Sequence, residues 1–384
     1  MKIWVVPAVP NTPLRHRAAD IGFALGRRHA VTMLFGERQP AGVGLLAKLR
    51  WHLRQAFTIS RRALAPGVTG LRLPSLPRWP SASRVYQSAW LTLLTRLHGV
   101  AAIVTQNTGE VHAPRRRGLR VVYDLPDDHM AGLELAGRGA HAARVRRFIA
   151  RELETASLAT ASSRVLVGAL KRQFGRDALL VPNGTWVGRF REARTTDPAA
   201  LRAKLGVGAG PVIGFAGGLD EWLEAGLLVE AWRLVRRSLP DARLVAVGDG
   251  SRAAELRAAG PGVTVTGFVA PDAVPAHVAL FDVGVVPFAE NALTDAMLPI
   301  KVFDYAAARK PVVSTPLEAY AGEDLPFLRV APAEPAAFAA ALLAALDGGW
   351  RQEWDAAVDR YDWDALVSPL ERALLGEPSA VPRP

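Results

Sequence analysis

The chain has no cysteine, which excludes disulfides and thiolate metal centres and fits a reducing compartment. No stretch approaches the roughly 20 uninterrupted apolar residues that a bilayer-spanning helix needs. The opening Met1–Pro7 is one short apolar run ended by proline, the pattern of a buried first strand rather than of an export signal. No G-x-G-x-x-G follows that strand, so a dinucleotide-dependent oxidoreductase is remote. Helix-turn-helix, zinc and RNA-recognition signatures are absent as well, which sets nucleic acid aside as a partner. Lysine is scarce, yet the formal charge is +11 because arginine is abundant. Alongside so much alanine, the arginine content has one reading as genomic base composition and another as attraction to an anionic partner.

What is present fits a globular α/β protein. Half of the 384 residues are hydrophobic and 22% are charged, and the length suits two domains. Short β-branched runs alternate with longer helical patterns, the mark of stacked βαβ units. Strands are expected at 3–6, 30–34, 101–105, 121–124, 156–161 and 178–181, with helices at 16–28, 83–98 and 141–154. The pattern pauses in turn chemistry at Asn183-Gly184-Thr185 and an irregular arginine-rich stretch follows. It resumes with strands at 212–216, 243–248, 263–266, 283–286 and 311–314. Helices fit 225–238, 252–259, 273–280, 300–308 and 335–346. The expected architecture is two doubly wound Rossmann-like domains facing a cleft, with ligands at the carboxyl ends of the strands.

The most informative segment runs from Asn291 to Thr315. A loop enters a helix near Pro299, whose free N–H groups and dipole suit a phosphate. Lys301 lies in the first turn, within reach of the same anion, and Asp304 one turn on can accept hydrogen bonds from ribose hydroxyls. The residues alone fit equally a surface helix with an i, i+3 ion pair. A second block, Val212-Ile-Gly-Phe-Ala-Gly217-Gly218-Leu-Asp-Glu-Trp222, is a buried strand running into a glycine pair that lets backbone amides approach a phosphate. Val121-Val-Tyr-Asp124-Leu-Pro-Asp127-Asp128-His129 ends a strand with three carboxylates and an imidazole. This cluster reads either as acid–base chemistry or as a solvated loop with helix-capping aspartates.

The 291–315 segment resembles the donor-binding motif of family-4-type (group 1) GT-B glycosyltransferases, in particular a subgroup that modifies bacterial cell-surface polysaccharides. The resemblance implies that Lys301 contacts the donor diphosphate and Asp304 the nucleotide ribose. Two positions depart from it: Ala296 stands where many members have glutamate, and Arg309 where glycine is usual. Asp295, beside Ala296, is the carboxylate left for the donor sugar. The Gly217, Gly218 and Trp222 block is similar to the first strand and loop of the family's C-terminal domain. Arg243–Gly250, with Gly248, resembles the glycine turn lining the nucleotide site, and Val263–Val269, with Gly267 and Phe268, the loop that holds the base. The resemblance also implies acceptor-side roles for Asp124 and Asp127 and catalytic roles for Asp128 and His129, with Lys301 stabilising the leaving nucleotide.

The expectation is therefore a retaining, metal-independent glycosyltransferase that needs no cofactor beyond its nucleotide-sugar donor. The acceptor is a cell-surface polysaccharide, a lipid-linked glycan or a small molecule. Domains are expected at 1–187 (acceptor side), 188–360 (donor side) and 361–384, a terminal helical stretch after Tyr361-Asp-Trp-Asp364 that crosses back to the first domain. The rivals are a nucleotide-sugar epimerase or hydrolase on the same fold and a catalytically silent sugar-binding partner. Leu45–Leu64 interleaves apolar residues with Lys48, Arg50, Arg54, Arg61 and Arg62. It reads as an amphipathic helix for an anionic membrane surface or as a core-facing helix with a basic edge, in a cytoplasmic protein peripheral to the membrane.

Overall fold

The structure, a computed structural model, describes residues 1–8, 16–36, 44–76, 79–109 and 111–377. The chain divides into two compact units, Met1–Val181 with Val367–Pro384, and Pro182–Leu366. The division falls before the Asn183-Gly184-Thr185 turn because that turn is held by the second unit. Asn183 Nδ2 donates to the Leu298 carbonyl at 2.9 Å, and Thr185 N to the Tyr361 carbonyl at 2.9 Å.

The first unit begins β1 (Lys2–Val6), α1 (Arg17–Gly26), β2 (Ala30–Leu34), α2 (Leu45–Phe57), β3 (Ser60–Ala65), β4 (Val68–Arg72) and α3 (Pro80–Leu97). It continues β5 (Ala102–Thr105), β6 (Arg120–Leu125), α4 (His129–Leu135), α5 (Gly139–Thr155), β7 (Leu158–Ala161), α6 (Arg164–Phe174) and β8 (Leu179–Leu180). The eight strands follow the order β3-β4-β2-β1-β5-β6-β7-β8. All neighbours are parallel except β3, which pairs antiparallel with β4. Leu45–Leu64 is therefore not one helix: α2 stops at Phe57, and Ser60 starts an edge strand. Arg61 and Arg62 belong to that strand, whose hairpin partner Val68–Arg72 carries the β-branched residues that favour pairing.

The second unit opens with α7 (Val187–Ala193) and α8 (Ala199–Leu205), where the sequence suggested only an irregular stretch. Then come β9 (Val212–Ala216), α9 (Ala225–Ser238), β10 (Arg243–Val247), α10 (Ala253–Ala258), β11 (Val263–Val265), α11 (Val274–Ala279) and β12 (Val283–Val286). It ends with α12 (Ala292–Asp295), α13 (Ile300–Ala307), β13 (Val312–Ser314), β14 (Leu328–Val330), α14 (Pro335–Gly348), α15 (Asp355–Asp359) and α16 (Trp363–Leu366). Its six strands are all parallel, in the order β11-β10-β9-β12-β13-β14. Chain order reverses between β9 and β12, and such a reversal opens a crevice at the carboxyl ends of those two strands.

Local chemistry explains the element ends. Ser163 Oγ accepts from Leu166 N at 3.2 Å to start α6, and Gly175 ends it in the left-handed conformation at φ +62°. The terminal helical stretch breaks at Val367, two residues before the proline whose kink the sequence leads one to expect. Pro369 sits in the first turn of α17 (Ser368–Leu375), where its missing N–H costs nothing. The last helix belongs to the first unit: Glu371 accepts from Arg28 Nε at 2.9 Å and from His29 Nε2 at 2.8 Å.

Candidate functional site: a glycine-lined anion crevice in the second unit

The reversal point of the second sheet gathers most of the residues that the sequence marked. After β9 the chain turns through Gly217 at φ +143°, and after β10 through Gly248 at φ +147°. These loops touch backbone to backbone. Gly217 N donates to the Val247 carbonyl and Leu219 N to the Asp249 carbonyl, at 2.9 and 3.0 Å. A Cβ on Gly248 would lie 1.9 Å from the Gly217 carbonyl oxygen. Only glycine satisfies both the dihedral and the spacing. Gly267 follows at φ +72°, bridged antiparallel to Gly248, and Phe268 beside it is exposed. Trp222 lies against Gly218, its ring 3.4 Å from where a Cβ would be, and its carbonyl accepts from Ala289 N at 2.9 Å.

Lys301, in the first turn of α13, reaches this loop. Its Nζ lies 4.7 Å from the centroid of the Phe288 ring and 5.1 Å from that of Phe215. A Cβ on Gly217 would stand 3.3 Å from the same nitrogen. The two ring faces steady the ammonium by cation–π attraction and shield it from water, which strengthens its field. Phe215 lies on β9 and Phe288 just past β12, so the cation is placed at the strand-order reversal itself. The helix N-terminus adds its dipole. Pro299 precedes the first turn without an N–H to satisfy, and the Leu298 carbonyl is pinned by Asn183. An ammonium, a helix start and a glycine loop together make an anion site of the phosphate type.

Asp304, one turn along α13, is half-buried and accepts from Thr185 Oγ1 at 2.5 Å. The buried Thr185 hydroxyl orients the carboxylate, a role the sequence reading missed because only the turn chemistry of that segment stood out. Tyr305 was missed too. Its hydroxyl accepts from Ala216 N at 2.7 Å, fixing the end of β9, and burial drives its ionisation above the usual range. Asp295 closes the short α12, whose start is fixed by a capping box between Asn291 and Thr294. It is half-buried, whereas Ala296 beside it is buried. Arg309 takes the left-handed conformation at φ +54°, the position of the usual glycine. Its guanidinium makes a two-pronged pair with Asp355.

The first unit holds the remaining marked residues. Asp124, at the end of β6, has 0% exposure and both oxygens engaged. Arg17 Nε and Nη2 reach them at 2.8 Å each, Gln106 Nε2 at 2.7 Å and Thr160 Oγ1 at 2.6 Å. Burial alone would raise its pKa, but the Arg17 charge and these hydrogen bonds hold it below the usual carboxylate range. The structure thus makes Asp124 the tie between α1 and the sheet. Asp128 caps α4 through Oδ1, accepting from Ala131 N at 3.0 Å, and Asp127 is half-buried beside it. His129 Nε2 is buried without a hydrogen-bond partner among the described residues, and burial lowers the ring's pKa despite the nearby Asp128. Burial therefore favours the neutral form of that ring.

Residues 210–348, most of the second unit, match the family described as glycosyl transferases group 1. A Bacillus subtilis (strain 168) protein, TuaH, named for a glycosyltransferase role in teichuronic acid biosynthesis, is 29% identical over 224 residues. That match spans 54% of this chain and 53% of the relative, about half its length. Among solved structures, sucrose-phosphate synthase from Thermosynechococcus elongatus is similar with a TM-score of 0.73 at 16% identity, over 98% of this chain and 100% of that one. Anabaena HepE in complex with UDP-glucose is similar with a TM-score of 0.66 at 17% identity, over 98% and 100%. The chain has the GT-B fold along its length, and its second unit carries the sequence match to the group 1 glycosyltransferases.

Proposed function

We propose that the protein is a glycosyltransferase that moves a sugar from a nucleoside-diphosphate sugar to a glycan acceptor. The observation that carries this reading is Lys301, held between Phe215 and Phe288 against the Gly217 turn at the start of α13. As the bond between sugar and diphosphate breaks, negative charge grows on the departing phosphate oxygen. The ammonium and helix dipole oppose that charge in a partly dry site, an electrostatic contribution of the oxyanion-hole kind. We infer that this cationic end replaces a metal clamp, so that no cofactor is required and turnover persists in chelator. Asp304, oriented by Thr185, is assigned to the ribose hydroxyls, and Asp295 to the donor sugar. His129, whose buried Nε2 has no hydrogen-bond partner among the described residues, is assigned with Asp127 and Asp128 beside it to the acceptor-side chemistry of the first unit.

The base we favour is uracil, because HepE is seen with UDP-glucose and the fold is shared. The acceptor class we favour is a bacterial cell-surface polysaccharide or its lipid-linked precursor, in keeping with the similarity to TuaH. Such a precursor would place the enzyme in the cytoplasm at the inner membrane face. Among the described residues no helix is long and apolar enough to cross a membrane.

Calorimetry with UDP, GDP, ADP and dTDP tests the donor reading, paired with turnover of the matching nucleotide sugar with and without acceptor. Tight UDP binding that Lys301→Ala abolishes, with turnover only when acceptor is present, supports transfer. Turnover without acceptor would make the protein a hydrolase or epimerase. Binding without any turnover would make it a silent sugar-binding protein, for which the buried Ala296 would be the reason.

A further inference from the structure

The positive charge is not spread evenly. From Arg38 to Gly109 the sequence holds ten lysines and arginines and not one aspartate or glutamate. This acid-free stretch builds α2, β3, β4 and α3, one edge of the first unit. It also carries a run of exposed apolar side chains. On α2, Leu46 is 75% exposed, Leu49 47%, Leu53 53% and Phe57 79%. At about 100° per residue these four positions fall within roughly a quarter-turn of arc, a stripe along the whole helix.

The opposite face of α2 is the one that holds it to the unit. Gln55 is buried there, and Ala56, at the edge of the stripe, is buried as well. Arg72 Nη1 donates to Gln55 Oε1 at 2.8 Å, and the Tyr86 hydroxyl on α3 donates to the Ala56 carbonyl at 2.9 Å. The leucines and Phe57 thus point away from the core that would ordinarily take them. Arg50 and Arg54 flank the stripe on one side and are both exposed. Arg61 and Arg62 follow on the edge strand β3 and are exposed too. An apolar stripe bordered by cations, with no acidic residue on the helix, matches the requirements of a helix lying in the interface of an anionic bilayer. A protein partner would call for polar pairing groups, and a second copy would bring the same positive charge against itself.

We propose that α2 is a membrane-docking helix that seats Leu46, Leu49, Leu53 and Phe57 among the acyl chains of an anionic lipid surface, with Arg50 and Arg54 at the headgroup phosphates. This deepens the reading of a lipid-linked acceptor by naming the surface that would bring the enzyme to it. Its failure is separable from failure of the transferase reading, because the test uses neither donor nor acceptor.

The test is sedimentation of the full chain with vesicles of phosphatidylcholine alone and of phosphatidylcholine with 30–40% phosphatidylglycerol (roughly the charge density at which cation attraction is strong). Binding to the anionic vesicles only, weakened by salt, is expected. Leu53→Ser with Phe57→Ser should cut it at least tenfold, and Arg50→Gln with Arg54→Gln roughly 20- to 30-fold at low salt. An unchanged far-ultraviolet circular dichroism spectrum and a melting temperature close to that of the wild type would show that each variant is folded. Should the serine variant not fold, the arginine variant and the salt titration carry the test. Equal binding to neutral vesicles, no binding, or full binding by both folded variants would overturn the proposal. So would a dimer in solution that the serine variant dissolves, since the stripe's occupant would then be a second copy.

Discussion

Two carboxylates, one in each unit, have opposite fates. Asp124 ends β6 with no exposed surface and four donated hydrogen bonds, two from Arg17 and one each from Gln106 and Thr160. Asp304 stands half-buried on α13 and accepts from the Thr185 hydroxyl. Asp124 lies at the carboxyl end of a strand, and Asp304 in the second turn of a helix. The difference lies in enclosure. A carboxylate sealed from solvent among its protein donors is scaffold, and one that keeps exposed surface can meet a ligand.

The largest test of that contrast is Asp124→Asn. It leaves Arg17 buried beside a neutral partner, and a loss of about 3–5 kcal/mol of unfolding free energy is expected in denaturant titration. Arg17→Met with Asp124→Leu should cost less than the sum of the two single changes. The pH dependence follows from the same pair. Because the folded pKa of Asp124 is depressed, its stabilisation is present above the unfolded value of about 3.9 and is lost as pH falls through the folded one. Acid melting of the wild type should therefore steepen below about pH 4, and Asp124→Asn should flatten that limb.

Next in size is Gly248→Ala. Its Cβ would meet the Gly217 carbonyl at 1.9 Å in a left-handed conformation. A cost of about 2–4 kcal/mol is expected, together with loss of UDP binding, since both loops must move. Lys301→Ala should separate function from fold. Nucleotide affinity should drop by about 10- to 100-fold in calorimetry while the melting temperature stays within about 2 °C. An equal loss of stability would make Lys301 a packing residue instead.

Thr185→Val sharpens the comparison from the other side, because it removes a hydrogen bond to Asp304 without changing the carboxylate itself. UDP should bind about three- to tenfold more weakly. The loss should be smaller for a 2′,3′-dideoxy nucleotide, which has no ribose hydroxyls for the carboxylate to meet. The smallest effect is expected at Arg309→Gly. Relief of the left-handed strain, about 1 kcal/mol, opposes loss of the partly exposed Asp355 pair, worth about 0–1 kcal/mol. The net change should stay within about 1 kcal/mol in thermal unfolding.

Much of this was legible in the sequence, for physical reasons that differ by element. The strands Val212–Ala216 and Val283–Val286 and the helix Ala225–Ser238 fall where the pattern placed them. Buried parallel strands are continuous β-branched runs, and α9 has strong helical periodicity. Lys301 and Gly217 were legible because an anion-binding helix start and a glycine turn leave local signatures. The hairpin of β3 and β4 was not legible, since the cationic Ser60–Ala65 reads locally as more of α2. It becomes a strand only because β4 offers it an edge. The short β14 is likewise defined by its neighbour, pairing through three residues with β13.

The sequence by itself determined the two α/β blocks, the phosphate-type loop and the identity of the charged groups. These follow from periodicity and from dihedral demands that act over a few residues. Only the tertiary structure decided what each charge is for. Asp124 and Asp127 look alike in the chain, yet Arg17, 107 residues away, encloses the first. The leucines of α2 look like core residues until β4 takes Gln55 and α3 takes Ala56 instead. Enclosure and exposure depend on which distant segments arrive at a side chain, and that information exists only once the chain has folded.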